Sequence, residues 1–62
     1  MDFLNNAEKW LLATYLKRVT FEDVYERVDA GTKDEMKAST YSILAVIEKV
    51  QNELAAEGFS PR

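Results

Sequence analysis

The sequence has no cysteine and no histidine, and only two glycines and one proline in 62 residues. Without cysteine there is no disulfide framework and no thiol nucleophile. Without histidine the commonest neutral-pH base and metal ligand is missing. Glycine is too scarce for a loop that cradles phosphate, and proline too scarce for a low-complexity segment. No apolar run approaches the roughly 18 to 20 residues that cross a bilayer, and the opening MDFLNN lacks the basic start and apolar stretch of a secretory signal. From these absences we expect a soluble, cytoplasmic chain with no cofactor and no metal centre, and no contact with membrane.

What is present suits a folded domain: 47% hydrophobic and 31% charged residues, with eleven acids against eight bases and a net charge of −3. An acidic chain opposes phosphate, so the balance disfavours nucleic acid as a partner. A domain of this size buries only about 60% of the surface its unfolded chain exposes. With no disulfide or metal to brace it, self-association or a protein partner is the expected source of added stability.

Three apolar-periodic segments follow one another, and all are helical in spacing. The first covers about 4–19, with Asn5 and Glu8 as a capping pair and Asp2 as a rival start. Leu4, Leu11, Leu12, Tyr15, Leu16 and Val19 gather on one broad side at ~100° per residue. The second covers about 20–29, capped by Thr20 and Asp23, with Phe21, Val24, Tyr25 and Val28 on a narrow stripe. It is expected to end near Asp29, Ala30 and Gly31. The third opens on Thr32 and Glu35, a full capping box in sequence, and meets no breaker until Gly58, with Pro61 beyond. A helix over about 33–57 measures roughly 37 Å, whereas a compact globule of this length is only about 27 Å across. The expected fold is therefore all-α: two short helices packed on one long C-terminal helix that outreaches the rest.

That long segment carries a seam at heptad spacing. Met36, Thr40, Ile43, Ile47, Val50 and Leu54 alternate steps of four and three, and Leu44 and Val46 widen the middle. Given the overhang, Met36, Thr40, Ile43, Leu44, Ile47, Val50 and Leu54 are the expected interface of a homo-oligomer, with a two-fold dimer as the default. Thr40 has two readings: a core hydroxyl bonded one turn back, or a polar contact that sets register across the dimer. Trp10 projects away from the first segment's apolar side. It either completes the core, against the long helix or in a homodimer contact, or anchors an external protein, and aromatic anchors of that kind dominate binding hot spots. Trp10, Lys17, Glu22, Tyr25 and Glu26 are the candidate surface for such a partner. Phe3 and Phe59 are open to either role, core plug or exposed contact.

Catalytic chemistry finds no constellation. Glu22 and Glu26 sit one turn apart beside Asp23 and Arg27, a pattern of solvated charge rather than of a carboxyl held in an apolar pocket. Ser39 and Ser42 lack a histidine or lysine partner, and no loop has calcium-binding spacing. The non-enzymatic reading is thus an adaptor, inhibitor or assembly accessory, of the compact kind common among phage and plasmid products. The alternative is a DNA-binding regulator. Residues 20–28, a turn and residues 38–44 loosely resemble the helix pair of winged-helix proteins, which implies phosphate or base contacts from Lys33, Lys37, Ser39, Thr40 and Ser42. The length of the last helix, the lack of a wing after Gly58 and the acids Glu48, Glu53 and Glu57 weigh against it.

Overall fold

The computed structural model describes residues 2–29 and 31–61. Its three helices are α1 (Asn6–Arg18), α2 (Phe21–Arg27) and α3 (Lys33–Ala56), with no strand among the described residues. Ala30, within the expected turn, lies outside the described residues.

Each helix starts where a side chain satisfies its free amides. The Asn5 carboxamide oxygen accepts from the Glu8 amide at 2.8 Å, and the Asn5 amide donates to Glu8 Oε1 at 2.9 Å. Thr20 and Asp23 form the same reciprocal pair at the head of α2. At α3 only half of the expected box forms. Thr32 Oγ1 accepts from the Glu35 amide at 3.2 Å, but the Glu35 carboxylate turns to the Gly31 amide one residue further out. Both arrangements satisfy an orphan amide ahead of the helix, so the exchange costs little.

The end of α3 reverses the chain. Gly58 has φ +96°, its amide donates to the Ala55 carbonyl, and the Phe59 amide donates to the Leu54 carbonyl at 2.8 Å. This left-handed closure is the Schellman arrangement, and it requires a residue without Cβ strain. A Cβ on Gly58 would meet nothing within 4 Å. Gly58→Ala is therefore expected to cost about 1–2 kcal/mol from backbone conformation alone, measurable as a lowered midpoint in denaturant.

The short helices pack on α3 at different levels. α1 runs antiparallel to its C-terminal half: Lys9 stands beside Glu57, while Leu16 and Val19 stand with Ile43 and Ile47. α2 lies on the N-terminal half, where Phe21 meets Tyr41 with ring centroids 5.3 Å apart. The molecule extends 39 × 19 × 16 Å with a radius of gyration of 13.2 Å, against about 11 Å for a compact chain of this length. At ~1.5 Å per residue, the 24 residues of α3 account for nearly all of the long dimension.

Among the described residues the buried apolar side chains are Ala13, Val24 and Leu54. α1 turns a different face inward from the one its apolar residues mark. Lys9 and Ala13 are buried and Leu12, Leu16 and Val19 half-buried, whereas Leu11 and Tyr15 are exposed. The apolar arc of α1 spans about 140° at ~100° per residue, wider than a single neighbouring helix can cover. α3 takes one flank and leaves the other outside.

Candidate functional site

The chain covers the α3 seam unevenly. Thr40 and Leu54 are fully buried within the chain, which leaves a second subunit no access to them and removes both from the expected interface. The Thr40 hydroxyl donates to the Met36 carbonyl at 2.7 Å, the local reading of the two, so it has no proton to offer across a dimer. Met36, Leu44, Ile47 and Val50 are half-buried. Ile43, in the middle of the seam, stays 42% exposed, and Val46 one turn on is exposed as well.

Ile43 is bare because neither α1 nor α2 closes over it. Between them lies an open apolar groove of about 220 Å³, lined by Tyr15, Val19, Val24, Val28, Ile43 and Ile47 among others. Arg18, Asp23 and Arg27 stand at its rim with Tyr15 and Val19. Leu11, one turn before Tyr15 on α1, and Val46, one turn after Ile43 on α3, extend the apolar surface beyond the groove.

The surface residues expected to meet an external partner do not come together. Trp10 and Lys17 belong to a clamp at the C-terminal end of α3. Trp10 stays 45% exposed but meets Phe59 edge-on at 5.3 Å, and Lys17 Nζ donates to the Pro61 carbonyl at 3.0 Å. Tyr25 stacks on Phe21 at 5.8 Å in the cluster with Tyr41, while Glu22 and Glu26 are exposed on α2. From Tyr41 to the end of α3 at Ala56 is about 22 Å along the rod. Of the two phenylalanines left open by sequence, Phe59 is half-buried in the clamp and Phe3 is 81% exposed.

Sequence reasoning missed Lys9. Its ammonium pairs with Glu57 Oε1 at 2.7 Å and lies 5.5 Å from the centroid of the Phe59 ring. It also places a positive charge at the C-terminal end of α3, whose own last turn has no base. A lysine reads as surface in any pattern scan, and its partner is 48 positions away. The one sequence hint is that Lys9 falls a turn before Ala13 on the same side of α1.

Two carboxyls are held below their ordinary values. The Lys9 hydrogen bond lowers Glu57, and the Thr20 backbone amide, followed by its hydroxyl, lowers Asp23. A depressed carboxyl stabilises the fold above its unfolded pKa and ceases to do so as pH falls through the folded one. Thermal stability is thus expected to be flat above the ordinary values of 4.5 and 3.8 and to drop as pH falls below them. In Lys9→Met the Glu57 share of that drop should shrink, which melting curves across acid pH would show.

The family model for DUF7706, a family of unknown function, matches residues 2–62. The chain belongs to this family. No curated protein and no solved structure matches it. The site of this DUF7706 member is accordingly defined by its own geometry: an apolar face at the junction of the three helices and a polar-aromatic clamp at the far end. Among the described residues no cluster of acids could hold a metal ion, and no helix is long and apolar enough to cross a membrane.

Proposed function

We propose that this protein is a small non-enzymatic interaction module whose first partner is a second copy of itself. The observation that carries this reading is its exposed surface of 4837 Å². A folded monomer of 7.1 kDa exposes about 4,100 Å². The excess is about 750 Å², close to the ~800 Å² that each partner contributes to a standard interface. Exposed apolar groups are concentrated where that excess is useful, on Leu11, Tyr15, Ile43 and Val46 around the groove. The bare middle of α3 takes the role that its whole seam has in sequence, with α1 contributing the rest of the face.

The test is sedimentation over a range of micromolar concentrations. The wild-type chain should sediment as a dimer, and Ile43→Asp should sediment as a monomer while keeping its helical circular dichroism, since that side chain is already 42% exposed. A wild-type chain that stays monomeric and melts identically on dilution would overturn the reading. A salt-sensitive shift of duplex DNA lost in a Lys33→Ala, Lys37→Ala variant would turn the assignment to a helix-turn-helix regulator instead.

A further inference from the structure

Phe3 is the most exposed large apolar side chain among the described residues, at 81%, and it stands on the short arm before the α1 cap. We infer that in the self-associated form Phe3 of each copy seats in the Tyr15–Ile43 groove of the other. This inference rests on the self-association proposed above and names the segment that fills the groove.

The fit is chemical first. The groove is apolar, open on one side and about 220 Å³ in volume. Enclosed apolar cavities of about 150 Å³ already take up benzene, so a phenyl ring has room, and burying an aromatic of this kind is a large hydrophobic gain.

Reach then selects the copy. Lys9 is level with Glu57, and the groove is level with Ile43 and Ile47, about 15–21 Å back along α3. Asn5 lies one further turn away, about 6 Å, and its capping box holds the chain there. Phe3 is two residues beyond Asn5, a span of about 7 Å at most. The ring therefore falls short of its own groove.

An antiparallel pairing of two α3 rods about the level of residue 51 removes the offset. Each groove then comes level with residues 55–59 of the other copy, at the base of that copy's arm. The same pairing sets Lys49 of one rod opposite Glu53 of the other, charges that complement each other on the exposed side of the helix.

The absence of cysteine makes the test direct. Under mild oxidation, a chain carrying both Phe3→Cys and Ile43→Cys should form a covalent dimer, while Phe3→Cys alone and Ile43→Cys alone should not. Phe3→Ala should weaken dimerisation on the order of thirtyfold, as loss of a central aromatic anchor does, and leave the monomer's helicity unchanged. If Ile43→Cys alone bridges to itself, the two α3 faces meet directly and the arm is elsewhere. If Phe3→Ala dimerises as well as wild type and the double variant does not crosslink, the arm assignment is overturned while self-association stands. A wild-type monomer would overturn both.

Discussion

Leu54→Ala is expected to leave the chain largely unfolded at room temperature. Leu54 is the largest side chain with no exposed surface among the described residues, at the level where α1 crosses the C-terminal half of α3. Truncating a buried leucine to alanine costs about 2.7–5 kcal/mol, the spread reflecting how well the site collapses. A domain of 62 residues has roughly 3–9 kcal/mol in total. With Ala13 and Val24 as the other buried apolar groups among the described residues, no neighbouring core takes up the loss. Far-UV circular dichroism against urea checks this. If the folded chain associates as proposed, raising the concentration should restore part of the signal by mass action. A midpoint within error of wild type would show that Leu54 does not organise the core.

Ile47→Asp is expected to be nearly as damaging, whereas Ile43→Asp is not, though the two isoleucines are one turn apart in the same seam. Ile47 is half-buried in the groove that α1 and α2 line with α3, and a carboxylate there loses part of its hydration, while Arg27, the groove's cation, stands at the rim. Burying a polar group without compensation costs about 1–3 kcal/mol in proteins, and a charge costs more. Ile43 already faces the open side of the groove, so its aspartate remains solvated and the fold survives. The first variant should lose helix and association together, and the second should lose association alone. Equal helix loss in both would mean that the groove closes over Ile43 in solution.

The helix ends were legible because they are decided within four residues. Asn5 with Glu8, Thr20 with Asp23, and Gly58 ahead of Phe59 each satisfy backbone groups by contacts their spacing already permits. Thr32 with Glu35 shows the margin of such reasoning. Two acceptable amides lay within reach of one carboxylate, and it bonded Gly31 rather than the cap residue.

The pattern alone thus determined that the described residues form three helices, where these begin and end to within about two residues, and that α3 outreaches the other two. Local hydrogen bonding and a period of ~3.6 residues suffice for that. Tertiary packing decided which side of each helix is covered. It buried Lys9 against Glu57, turned Leu11 and Tyr15 outward, closed Thr40 and Leu54 inside the chain, and left Ile43 in an open groove. Those outcomes depend on where two short helices land along a rod much longer than either. A helix with an apolar arc wider than one neighbour can satisfy its pattern in several orientations, and only the competition of all three surfaces selects one.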